Sequence, residues 1–123
     1  MTAPHYDTVI IGAGLSGIGA ACRIASEFPN RTMAILERRQ RMGGTWDLFR
    51  YPGIRSDSDM ASFGFDFNPW YSDQVLAKGT DIRDYVVETA REFNLEDKVQ
   101  YGLNIVRADW SSVDQRWTIT ARN

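Results

Sequence analysis

The sequence predicts an α/β domain whose parallel sheet begins with a strand–helix–strand unit. Three observations predict it. Thr8-Val9-Ile10-Ile11 is a short β-branched run of the kind that forms a buried parallel strand. A glycine-rich turn and a helical pattern follow directly. A second apolar run then ends on an acidic residue, Glu37.

Gly12 ends the first strand. The helix runs over residues 15–27, with Ile18, Cys22 and Ala25 on its inward face, and Pro29 and Asn30 stop it. Residues 32–36 form the second strand. A right-handed crossover puts both strands in one parallel sheet. Over residues 38–78 periodicity is lost, broken by Gly43, Gly44, Pro52, Gly53, Gly64 and Pro69. A stretch this long without regular structure is usually functional or disordered. Its eight aromatic residues between Trp46 and Tyr71 argue against disorder. Thr80 or Asp81 is positioned to cap a helix that carries Ile82, Tyr85, Val86, Thr89, Ala90 and Phe93 on one face. Residues 99–105, 106–110 and 117–120 read as strands, with Asp114-Gln115 as a turn.

Composition narrows the function classes. At 123 residues the chain suffices for one domain, and 43% hydrophobic with 24% charged residues is an ordinary globular balance. Fourteen basic against 16 acidic residues, a net charge of −2, give no electrostatic case for nucleic acid. One cysteine, Cys22, precludes an internal disulfide and fits a reducing setting. The first seven residues carry no basic stretch followed by an apolar run, so no signal peptide is expected. No apolar run approaches the length of a membrane span. The expected location is cytoplasmic, with association at a membrane surface left open.

Gly12-Ala13-Gly14-Leu15-Ser16-Gly17 fits the dinucleotide fingerprint in the context it requires, after a strand and opening a helix. Gly12 permits the turn out of the strand. Gly14 lets a pyrophosphate approach the backbone, and Gly17 lets the helix pack close to the sheet. The helix N-terminus offers amide donors and partial positive charge to phosphates, and Ser16 can add a hydroxyl or amide. Glu37, 25 positions after Gly12, can accept both ribose hydroxyls of an adenosine and would repel a 2′-phosphate. These features point to a Rossmann-type site for FAD or NAD and do not separate the two.

Arg41-Met42-Gly43-Gly44-Thr45-Trp46 and Arg50-Tyr51-Pro52-Gly53-Ile54-Arg55-Ser56-Asp57-Ser58-Asp59 resemble the flavin-binding loop of Baeyer–Villiger and related flavin-containing monooxygenases, with a close likeness to the ethionamide-activating branch of mycobacteria. The resemblance extends through Phe65-Asp66-Phe67-Asn68-Pro69-Trp70 and Ala108-Asp109-Trp110-Ser111, nearly the whole chain. It implies FAD as cofactor, NADPH as reductant, and transfer of one oxygen atom to a ketone, sulfur or nitrogen of a small-molecule substrate. It implies that Gly44, Thr45, Trp46 and Asp47 run along the flavin between pyrophosphate and ring. Asp57 matches the family's aspartate beside the flavin, which helps place a catalytic arginine and the nicotinamide. Arg55 and Ser56 flank it near NADP, and Ile105 matches the position whose backbone reads the adenine edge.

The chain departs from the family in length. A second glycine fingerprint for NADP, the histidine-containing signature and the catalytic arginine have no counterpart here. The expectation is the N-terminal part of an FAD-binding domain, incomplete at its C-terminal end, without a competent cycle of its own. A second chain completing the enzyme, a non-catalytic nucleotide-binding remnant and an FAD-linked reductase without oxygen chemistry are the alternatives. The first strand is expected to have an unpaired edge or an uncovered face, and an exposed edge favours association. Other conspicuous residues have plainer readings. His5 lies in a frayed terminus, and no ligand cluster suggests a metal. Cys22 is core packing. Arg38, Arg39 and Arg41 either approach phosphates or form a solvated loop. Without the resemblance, Asp57 and Asp59 would be turn residues. The aromatics over residues 63–71 read as packing rather than a substrate cage.

Overall fold

The computed structural model describes residues 3–72 and 76–123. Met1 and Thr2 of the N-terminus, and residues 73–75 of the long loop, lie outside the described residues. The elements are β1 (Thr8–Ile11), α1 (Leu15–Glu27), β2 (Met33–Glu37), the single turns α2 (Thr45–Leu48) and α3 (Met60–Phe63), α4 (Gly79–Glu92), a 3-10 turn (Glu96–Lys98), β3 (Val99–Tyr101), β4 (Asn104–Ser111) and β5 (Arg116–Arg122).

Among the described residues, β1, β2 and β3 form a parallel sheet in that order, with Ile10 opposite Ile35 and Ile35 opposite Val99. The central strand is the apolar one. Met33, Ala34 and Ile35 are buried, whereas β1 is half-buried and Ile11 is exposed. The strand expected to be buried at residues 8–11 is only half-buried. Among the described residues it pairs on one side, through β2, and so keeps the unpaired edge expected of it.

One core joins Ile18, Ala21 and Cys22 of α1 with Met33 and Ile35 of β2 and Val86 and Ala90 of α4. The helical spacing of Ile82, Tyr85, Val86, Thr89 and Ala90 puts all five on the buried face. Phe93 is half-buried against the same core. The expected cap at Thr80 or Asp81 is not used. The helix starts earlier, with Lys78 at the N-cap position and no side-chain cap. Gly79 begins the helix because its backbone crosses close to Ile54. A Cβ there would lie 2.9 Å from the Ile54 side chain.

The strand expected over residues 99–105 divides at Gly102. At φ 75°, Gly102 turns the chain out of the parallel sheet. It continues as the antiparallel β4–β5 hairpin, whose turn contains Gln115 at φ 55°. The register shifts between Ile105 and Arg107, a bulge. The aromatics of residues 63–70 are packing. Phe65 stacks on Phe67 and Tyr85 at 4.9 and 5.4 Å, and Trp70 meets Tyr85 edge-on at 5.3 Å. Tyr71 is exposed. Among the described residues no helix is long and apolar enough to cross a membrane.

Candidate functional site

Two glycine turns meet at the carboxyl end of β1 and enclose an open cleft of roughly 290 Å³. It is lined by Gly12, Gly14, Leu15, Ser16 and Gly17 on one side and by Gly43, Gly44, Thr45 and Trp46 on the other. Gly12 adopts φ 101°, which a side chain would strain. Gly14 is the N-cap of α1. It supplies no side-chain cap, and the first turn of α1 has no acidic residue. The helix end therefore keeps its positive character toward the cleft. Gly17 is forced by packing: a Cβ would stand 1.9 Å from the Gly12 carbonyl oxygen.

The second turn closes on the first by backbone contact. The Gly43 amide donates to the Ala13 carbonyl at 2.9 Å. A Cβ on Gly44 would lie 3.0 Å from the Gly14 Cα. Side chains would hold the two turns apart: a Cβ on Gly44 would press on the Gly14 backbone, and one on Gly43 would meet Arg83 and Asp47 behind the wall. This cradle fits a pyrophosphate.

Glu37 is buried at the end of β2. Its Oε1 accepts the Ala13 amide and its Oε2 the Arg39 amide, each at 3.0 Å. The carboxylate is thus fixed beside the first glycine turn, each oxygen retaining a further lone pair.

Asp47 has no exposed side-chain surface and does not line the cleft. It lies behind the Gly43-Gly44 wall and faces four arginines. Arg50 Nη2 is 2.5 Å and Arg41 Nε 3.4 Å from Oδ1, and Arg83 Nη1 is 4.0 Å away. Arg39 Nη1 lies 2.8 Å from Oδ2 as an ion pair, off the line of a good hydrogen bond. Burial would raise the Asp47 carboxyl, but the Arg50 hydrogen bond and the charges of Arg41, Arg39 and Arg50 outweigh it and lower it. Arg39 and Arg41 are therefore partners of a buried carboxylate.

The other expected site residues are more scattered. Ser56 is buried; its hydroxyl accepts the Ala77 amide at 3.0 Å and its amide donates to the Ala77 carbonyl at 2.9 Å. Arg55 and Asp57 flank it and are exposed. Ile105 lies on β4 opposite Ala121. None of these four lines the cleft. Asp59 caps α3 by accepting the Ser62 amide at 2.9 Å. Cys22 is fully buried and its thiol is pushed up to about 11, first by burial and then by Glu92, which leaves it inert packing. Asp47 as a charge hub was not readable in advance. A carboxylate amid an arginine-rich stretch was its only local signal, and Arg83 is 36 positions away.

The chain can be set beside known proteins. Over 115 residues it is 59% identical to a putative FAD-containing monooxygenase, MymA of Mycobacterium tuberculosis, covering 94% of this chain and 23% of the relative. It is 49% identical to the FAD-containing monooxygenase EthA of Mycobacterium tuberculosis, over 94% of this chain and 24% of EthA. The chain thus spans about a quarter of the length of these curated relatives. Among solved structures, an oxidized steroid monooxygenase bound to NADP superposes with a TM-score of 0.86 at 28% identity, over 94% of this chain and 23% of that one. Residues 10–76, more than half of the chain and including both glycine turns, match the model of the NAD(P)-binding Rossmann-like domain. The chain belongs to the NAD(P)-binding Rossmann-like domain family.

Proposed function

We propose that this chain holds the ADP half of FAD and is the FAD-binding portion of an NADPH-dependent flavin monooxygenase. One observation carries the reading: two glycine turns and an uncapped helix N-terminus line a single cleft, and a buried carboxylate is fixed on the backbone of the first turn. The amides at the start of α1 hold the pyrophosphate, with Ser16 beside them. Glu37 accepts the ribose hydroxyls through its remaining lone pairs, and its charge disfavours a 2′-phosphate there. Gly44, Thr45 and Trp46 continue the path toward the flavin ring, while Asp47 stands behind them. Bound FAD supplies the redox chemistry, hydride acceptance and oxygen activation. Ser56 fixes the segment that presents Arg55 and Asp57 toward NADP and the reacting centre. Ile105 offers its backbone to the adenine edge. A small organic substrate follows from the relatives' activity.

The match to an NAD(P)-binding family favours one competing reading, NAD in the same cleft. The test is to incubate the purified chain with FAD, remove the excess and record the visible spectrum, with Gly14→Asp and Glu37→Ala in parallel. Retained flavin absorbance, lost in both variants and not displaced by excess NAD, is expected. A folded sample that retains no flavin would overturn the reading. Displacement by NAD at matched concentration would favour the competitor.

A further inference from the structure

We propose that Asp47 is a positioning residue that sets the spacing between the Glu37 carboxylate and the Gly43-Gly44 wall, closing a ring of contacts around the nucleotide cleft. The function attached to this ring rests on the FAD reading above. The ring can be traced atom by atom. The Gly43 amide donates to the Ala13 carbonyl at 2.9 Å, and the Ala13 amide donates to Glu37 Oε1 at 3.0 Å. Glu37 Oε2 accepts the Arg39 amide at 3.0 Å, and Arg39 Nη1 reaches Asp47 Oδ2 at 2.8 Å. The Asp47 amide returns to the wall, donating to the Gly44 carbonyl at 3.1 Å.

Asp47 does not line the cleft, and neither do the four arginines that its carboxylate faces. Its influence passes through Arg39 to Glu37 on one side and through the α2 backbone to Gly43 on the other. Arg83 anchors the ring to α4, and a Cβ on Gly43 would lie only 2.9 Å from the Arg83 Cγ. Without the carboxylate, four guanidinium groups would face one another around a buried position. Their repulsion would move the arginine-bearing segments apart. Because Arg39 lies two residues after Glu37 and donates its amide to the Glu37 carboxylate, that movement would shift Glu37 relative to the glycine wall.

The test is amide hydrogen exchange by NMR on the apo chain, joined to an FAD titration, for Asp47→Asn, Arg39→Gln and the double variant. In Asp47→Asn the Ala13, Arg39 and Gly43 amides are expected to lose about tenfold in protection, while the Ile35 amide of the central strand holds. Arg39→Gln, at a side chain 26% exposed, should give the same local pattern at the amides of Ala13 and position 39. The double variant should show no more than Asp47→Asn alone, since both cut one path. FAD affinity is expected to fall about tenfold in each.

Unchanged Ala13 and Arg39 protection in both single variants overturns the proposal. So does a uniform loss that includes Ile35, which would mark a merely structural role, or a local loss with FAD affinity intact. Should Asp47→Asn fail to fold, Arg39→Gln decides. Should the parent chain bind no FAD, the cofactor reading fails and the exchange pattern alone judges the ring.

Discussion

Gly14 and Gly17 stand three residues apart in one motif, yet a methyl group would meet different things at each. At Gly17 it would collide with the Gly12 carbonyl at 1.9 Å. At Gly14, where φ is −87°, it would touch the Gly44 Cα at an ordinary 3.5 Å. Gly17→Ala is therefore expected to cost about 3 kcal/mol, read as a drop in the urea midpoint. Gly14→Ala should leave that midpoint nearly unchanged and weaken FAD retention, because its methyl occupies the cleft. The buried Asp47 carries a second expectation. Its carboxyl is held below the ordinary carboxylate range, so the ionised form favours the folded state. The stability this adds is complete above the unfolded value, about 3.9, and is lost as pH falls through the lower folded value. Asp7, held down mainly by the Thr32 amide, and Asp59, held down by the Ser62 amide, titrate in the same direction. Thermal melts of the parent chain should decline below about pH 4, and Asp47→Asn should flatten that decline without abolishing it.

At the scale of elements, α4 and the 65–70 loop are joined by a small polar network under the aromatic cluster. The Tyr85 hydroxyl accepts the Phe65 amide at 2.8 Å and donates to the Asn68 carbonyl at 2.5 Å. Asn68 Nδ2 donates to the Thr89 hydroxyl at 2.7 Å, which in turn donates to the Tyr85 carbonyl at 2.7 Å. Tyr85→Phe leaves a backbone donor and acceptor without their partner at almost no change in volume. The expected loss is about 2 kcal/mol in urea denaturation, with the slope unchanged. The helix itself was legible in the sequence because its buried face repeats at helical spacing over about three turns. Its start was not, because the Gly79–Ile54 contact that fixes it joins residues 25 positions apart. The turns α2 and α3 contain four residues each, too short to show any period. The half-exposure of β1 follows from which strands pair, and a β-branched run reads alike at an edge or in the centre.

For the molecule as a whole, the first half of the site was legible and the second only in part. Gly12, Gly14, Gly17 and Glu37 announce themselves by order along the chain, and the fold places them together. Gly44, Thr45 and Trp46 were reached through resemblance, and the fold brings them to the same cleft. The grouping of Asp47 with Arg39, Arg41, Arg50 and Arg83 depends on how α2 and α4 dock, and no local pattern encodes that. The sheet order also governs time. The β4–β5 hairpin pairs neighbours in sequence and can close in about 10 μs. Pairing Ile35 with Val99 must first close a loop of 64 residues, so the completed sheet forms late. A nucleotide that binds only the finished cleft has nothing to hold in the transition state. Stopped-flow measurements with and without FAD should show an unchanged refolding rate and slower unfolding, so the cofactor acts as a brake on escape from the native state rather than as a template for reaching it.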